Sequence, residues 1–221
     1  DIEVPEAIEL ALECEAAARA VDPRISNSEG ATVSLGEGVR VYANSLGFSG
    51  AYPDSHHSIS CSVIAKQGEE MQRDYEYTVS RKADQLMAAE QVGREAGLKT
   101  VQRLGSRKLK TCTTPVVFPA RLARGLFGHL VGAVSGAALY RKSSFLLDSL
   151  GTQVLPEFVT IVEQPHIPCG LSSAPFDSEG VATYSHHLVE DGLLQSYVLG
   201  SYSARKLDMA STANAGGIHN L

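Results

Sequence analysis

The stretch ARGLFGHLVGAVSG, residues 123–136, sets a single histidine, His129, inside a glycine-punctuated apolar run. Imidazole is the side chain most used to hold zinc and to move protons near neutral pH. A peptidase-type zinc helix also needs a second histidine about one turn away and a glutamate to act on the metal-bound water. Neither stands beside His129: residues 124–128 are Arg, Gly, Leu, Phe and Gly, and no carboxylate occurs from 121 to 147. Taken alone, His129 reads as a histidine packed in a core. Gly125, Gly128, Gly132 and Gly136 each cost a helix roughly 1 kcal/mol relative to alanine. Close packing against a neighbouring element is the plain reason to carry them.

The segment FDSEG (176–180) offers Asp177 and Glu179 on one side of an extended stretch. Such a pair suits metal or acid–base work. It equally suits a turn in which Asp and Ser bond back to the backbone and Gly180 supplies an unusual φ. The adjacent pairs His56-His57 and His186-His187 lie on expected strands, where neighbouring side chains point to opposite faces, so neither pair chelates one ion as a unit, which leaves one histidine of each as a contributor to a shared site. No GxSxG elbow, GxGxxG fingerprint or phosphate loop is present. Ala215-Gly216-Gly217, just before Ile218-His219, reads either as backbone that approaches another strand or ligand, or as a flexible connection.

These residues need elements to position them. Residues 5–20 read as a helix opened by Pro5 and Glu6 and ended at Asp22-Pro23. From Ile25 to Ser80 the apolar period becomes two, with turn signals at 28–30, 36–38, 53–54 and 67–68; strands are expected near 31–36, 39–44, 47–52, 57–66 and 70–79. A second helix fits 84–103, although Gly93 and Gly97 weaken it. TPVVFP (114–119) reads as a buried strand. Strands at 153–163 and 180–189 lead into a hairpin turning at Glu190-Asp191-Gly192 and returning over 193–202. Residues 203–217 have loop composition with at most one helical turn. The fold class is α+β, mostly antiparallel β-sheet with a few covering helices.

The 221 residues suffice for a sizeable core without disulfide staples. The four scattered cysteines, with no CxxC pair, are expected as reduced thiols of a cytoplasmic protein. A formal net charge of −6 without a basic stripe argues against a nucleic-acid binder. No apolar run reaches the ~20 residues of a membrane span. The start at Asp1 without methionine and the stop after GGIHNL read as a segment of a longer protein.

As a set, RISNSEG (24–30), GLFGHLVGAVSG (125–136), YRKSSFLLDSLG (140–151), PFDSEGV (175–181), SYSARKL (201–207) and AGGIHN (215–220) resemble the TldD/PmbA family, the "modulator of DNA gyrase" proteins, on the PmbA (TldE) branch. The resemblance implies the middle and part of the C-terminal region of such a protein. Residues 1–110 would be helix, β-meander and helix, and 111–221 the zinc-helix region and hairpins; an N-terminal domain and the C-terminal end would lie outside. It further implies a cytosolic zinc metallopeptidase built as a heterodimer of homologous subunits acting on peptides or unfolded proteins. The family's HExxxH pattern, laid on this sequence, puts its second histidine at His129, its first at Arg124 and its glutamate at Gly125. Such positions stand about 140° apart on an ideal helix. The motif is degenerate here, so the resemblance implies a partner role: zinc held by a TldD-type subunit, none by this chain, and His129, Asp177 and Glu179 as candidates to line the substrate cavity. The alternatives are a peptidase active on its own, or a regulatory protein acting on gyrase or toxin–antitoxin systems. Neither membrane nor nucleic acid is expected as a partner.

Overall fold

A computed structural model describes residues 2–221, which divide into two compact units. The first comprises residues up to Val39 together with Pro53–Cys112; the second comprises Arg40–Tyr52 and Thr113–Leu221.

The first unit is a three-stranded antiparallel sheet, in the order β1 (Ile25–Ala43), β2 (Ser49–Gln67), β3 (Glu70–Ser80), covered by helices α1 (Val4–Ala20) and α2 (Ala89–Gln102). The period-two signal decides which face is covered. Ile59, Cys61, Val63 and Ala65 of β2 are all buried and meet Cys14 and Ala18 of α1 and Val92 and Ala96 of α2. Five expected strands are in fact three long ones. The turn signals at 28–30, 36–38 and 53–54 lie within strands. At Gly30 a φ of +100° is absorbed without reversing the chain, with the Ser28 hydroxyl accepting from the Gly30 amide. Such irregularities are tolerated on the edge strand β1. Pro53 is tolerated because β3 pairs with β2 only from His57 onward, so a missing donor at position 53 breaks no ladder on that side. The real reversals are at Gly68 and at Asn44–Phe48, where the Asn44 side-chain oxygen accepts from the amides of Leu46 and Phe48.

Helix α2 starts at Ala89, later than expected, after a single 3-10 turn at Ala83–Gln85. Its two glycines strengthen the packing. A Cβ on Gly93 would strike the backbone carbonyl of Cys14, and one on Gly97 would sit 2.6 Å from the carbonyl oxygen of Ala18.

The second unit holds helices α3 (Ala120–Ala133), α4 (Gly136–Tyr140) and α5 (Ser201–Lys206), with a small antiparallel sheet in the order β4 (Ile161–Glu163), β5 (His186–Glu190), β6 (Leu193–Leu194). Its core gathers Val134, Leu139, Leu188, Val189, Leu194, Leu199 and Ala204. The tip of the β1–β2 hairpin belongs to this unit: Phe48 and Tyr52 meet Phe176 edge-on, with centroids 5.1 and 5.3 Å away. The turn at 190–192 forms as expected, with positive φ at Asp191 and Gly192.

Four expectations fail in this unit, the first being the 180–189 strand, of which only residues 186–189 are strand. Residues 114–119 form no strand and are exposed, because Pro115 and Pro119 lack backbone donors and no strand lies alongside. Only Ile161–Glu163 of the expected 153–163 strand is extended. The returning strand stops at Leu194, and Ser201–Lys206 is helical. All four cysteines are free thiols, Cys14 and Cys61 buried, Cys112 and Cys169 exposed. Among the described residues, no helix is long and apolar enough to cross a membrane.

Candidate functional site

The helix that raised the question of chemistry is α3, and it lies on the surface. No residue of α3 is buried, and His129 itself is exposed. This corrects the reading of a histidine packed in a core. The packing account of the glycines also fails for three of the four. A Cβ on Gly125, Gly128 or Gly132 would meet no described atom within 4 Å, and only Gly136, at the start of α4, is pressed against Ser203 and Leu199. Gly136 is held there because Ser135 caps α4 and the Gly136 amide donates to the Val198 carbonyl.

FDSEG is a turn. One Asp177 oxygen accepts from the amides of Glu179 (2.9 Å) and Val181 (3.0 Å), and Gly180 takes a φ of +79°. The other accepts from the Ala215 amide at 3.0 Å, so this buried carboxylate fastens the AGG stretch. Glu179 accepts from the Ser201 amide at 2.7 Å, placing a negative charge at the N-terminus of α5 where free amides and the helix dipole favour it. Both carboxylates are thus engaged by backbone donors. Of the two readings of AGG, close approach to another segment is the one observed, with the Ser178 amide also donating to the Ala215 carbonyl.

The chemically densest cluster is one that sequence reasoning did not single out. Glu163, at the end of β4, is 1% exposed. The Asn214 side-chain amide donates to both of its oxygens, at 2.8 and 3.0 Å. The His219 backbone amide and ring Nδ1 both lie 2.7 Å from Glu163 Oε1. A carboxylate partner calls for the tautomer with a proton on Nδ1, leaving Nε2 as the free position. Across the β4–β5 ladder His186 pairs with Glu163, its Nε2 3.6 Å from Oε2, within ion-pair reach but too long for a hydrogen bond. Burial pushes the Glu163 carboxyl upward, but the hydrogen bonds from His219 and Asn214 and the His186 ring outweigh it and hold the group below the ordinary carboxylate range. His186 and His187 split to opposite faces, as expected, as do exposed His56 and buried His57. The signals for the cluster were the His186-His187 pair, a lone acid ending the apolar TIVE run and the AGGIHN segment.

A zinc site needs three protein ligands of suitable type. On α3, Arg124 is a cation and Gly125 has no side chain, so only His129 has a donor atom among the three motif positions. Among the described residues no group of three or more His, Cys, Asp and Glu is arranged to hold a metal ion. The residues present do not fit the metal that the family pattern implies.

Comparison with known proteins agrees with the segment-by-segment resemblance. Residues 1–104 match the model of the PmbA/TldA metallopeptidase central domain, and residues 111–221 match that of the C-terminal domain. The chain is 50% identical over 220 residues to the metalloprotease PmbA of Escherichia coli O157:H7, and equally so to a PmbA homologue of Haemophilus influenzae. In each case it covers 100% of itself and 49% of the relative, so it spans about half the length of the curated relatives it matches. A crystal structure of a candidate DNA gyrase modulator from Bacteroides thetaiotaomicron superposes with a TM-score of 0.91 at 26% identity, covering 96% of this chain and 48% of that one. With two family models covering nearly its whole length, the chain belongs to the PmbA/TldD family of metallopeptidase-related proteins.

Proposed function

We propose that the protein containing this chain is the non-catalytic subunit of a two-subunit zinc metallopeptidase acting on peptides and unfolded proteins. The observation that carries this reading is the pair Arg124 and Gly125, standing where the family pattern requires a metal-binding histidine and a water-activating glutamate. A single imidazole at His129 does not hold catalytic zinc, which wants three protein ligands. Metal-bound water chemistry then belongs to a homologous, TldD-type subunit, and this chain contributes surface to the cavity that receives the peptide. The exposed glycines of α3 support that role, since a Cβ on Gly125, Gly128 or Gly132 would meet no described atom that a substrate would have to displace.

The experiment mixes the purified full-length protein with its zinc-bearing homologue and follows peptide cleavage. Cleavage is expected from the mixture, lost on chelation and restored by zinc, with none from this protein alone. Chelator-sensitive cleavage by this protein alone would overturn the proposal. So would a homologue whose activity is unchanged by adding it.

A further inference from the structure

The covered face of the first sheet is longer than the helix laid on it. Strands β1 and β2 have 19 residues each, on the order of 60 Å of extended chain, against about 25 Å for the 17-residue α1. On β2 the buried alternation Ala65, Val63, Cys61, Ile59 continues to His57. On β1, Ala31 and Val33 pack on the same core, and the alternation continues to Leu35 and Glu37. An imidazole and a carboxylate thus stand where the apolar pattern runs on. There a cavity of about 200 Å³ opens, lined by Ile2, Leu35, Gly36, Glu37 and His57. His57 is 6% exposed, and its Nδ1 is enclosed without a hydrogen-bond partner among the described residues. Native proteins rarely leave such an atom bare, and where one stands in a cavity it points to a water or a ligand. Glu37 is exposed and has no ion-pair partner among the described residues.

We infer that this cavity binds a primary ammonium group carried on an aliphatic chain, as on a lysine side chain or at the amino terminus of a peptide. The chain lies against Ile2 and Leu35. The ammonium has three donors; one goes to the neutral imidazole of His57, which accepts at its unprotonated nitrogen, and one to the Glu37 carboxylate, whose charge it neutralises. Each wall rejects a different competitor. Glu37 repels anions, and a neutral apolar group leaves the imidazole unpaired.

The test uses the full-length protein with isotope-labelled histidine, in which the ring signal missing from the His57→Phe variant identifies His57 by nuclear magnetic resonance. At constant pH it is titrated with N-acetyl-lysinamide and with leucinamide, whose ammonium is an α-amine. N-acetyl-norleucinamide, which keeps the chain of the lysine compound and lacks its ammonium, is the control. The His57 signal is expected to shift saturably with an amine, with a dissociation constant on the order of 1 mM, and not with the norleucine compound. Saturation by the lysine compound alone assigns the cavity to side chains, and by leucinamide alone to peptide termini; either result keeps the proposal. Glu37→Gln alters an exposed position and should weaken binding about fivefold, the worth of an exposed charge pair. No saturable shift with either amine, an equal response to the norleucine compound, or undiminished affinity in Glu37→Gln overturns the proposal. An imidazole bonded only to water gives the first of these results.

Discussion

Helices α2 and α3 carry the same spacing of glycines, Gly93–Gly97 and Gly128–Gly132, in opposite surroundings. In α2 the glycines are buried and the backbone of α1 lies directly on them. In α3 they face open space on a helix without one buried residue. A helical glycine costs roughly 1 kcal/mol relative to alanine. In α2 the cost is offset inside the unit by helix-on-helix packing and by Val92 and Ala96 reaching the sheet. In α3, Leu130, Val131 and Ala133 pack on the core of the second unit, but no described atom lies against the glycines themselves, so the reason for them lies in something that comes to the surface. A glycine pattern in sequence therefore signals close approach without saying whether the approaching chain is the protein's own.

Substitution should separate the two surfaces most sharply at Gly93. Gly93→Leu drives a side chain into the α1 backbone and should destabilise the first unit by roughly 3 kcal/mol or more, as overpacking does when no flexible group can yield. Urea unfolding measures it, and a loss under about 1 kcal/mol would mean that α1 is not held against α2 as closely as described. Within the second unit, the fully engaged Glu163 cluster provides the contrast to α3. Glu163→Gln weakens the bonds from His219 and Asn214 and should cost about 2 kcal/mol, read as faster amide exchange at residues 214–220.

The same cluster sets a pH dependence. Glu163 titrates below its ordinary value of 4.5 in the folded chain. Its contribution is therefore present above the unfolded value and lost as pH falls through the lower, folded one. The acid limb of the stability curve should be flatter in Glu163→Gln than in the parent; identical limbs would mean that the carboxyl titrates as an unperturbed group. The smallest effect is expected at Gly128, with the opposite sign. Gly128→Ala should stabilise by up to about 1 kcal/mol through helix propensity, and a destabilisation would show that the α3 surface is covered after all.

Much of the scaffold was legible from periodicity. Helix α1, the alternation along Ile59, Cys61, Val63 and Ala65, and the turn at Asp191-Gly192 follow from local rules. The strand count did not, because Gly30, Gly36 and Pro53 are punctuation in the sequence but sit where an edge strand, or a stretch lacking one neighbour, absorbs them. TPVVFP reads as a strand by composition, yet a strand exists only with a partner. The turn role of Asp177 was visible in DSEG; its bond to Ala215 was not, since the two lie 38 residues apart. For the same reason Glu163 was passed over: its meaning depends on donors 51 and 56 positions later, at Asn214 and His219. The degenerate motif was legible in residue types alone, whereas the openness of its helix became visible only in three dimensions.

Those long reaches also fix a timetable. The second unit is assembled from residues emerging at widely separated moments of synthesis. Phe48 and Tyr52 have to wait for Phe176, and Glu163 has no partner for its charge until Asn214 and His219 follow. The first unit has a wait of its own, since Cys14 and Ala18 of α1 meet Gly93 and Gly97 of α2, but it is complete by Cys112. During translation the chain therefore passes through a stage with one unit formed and the other holding an unneutralised carboxylate and an unpacked aromatic tip. Contacts of high sequence separation close slowly and expose apolar surface meanwhile. A ribosome pausing after residue 163 and before residue 219 would prolong the interval in which this protein is most open to chaperones and to misassembly.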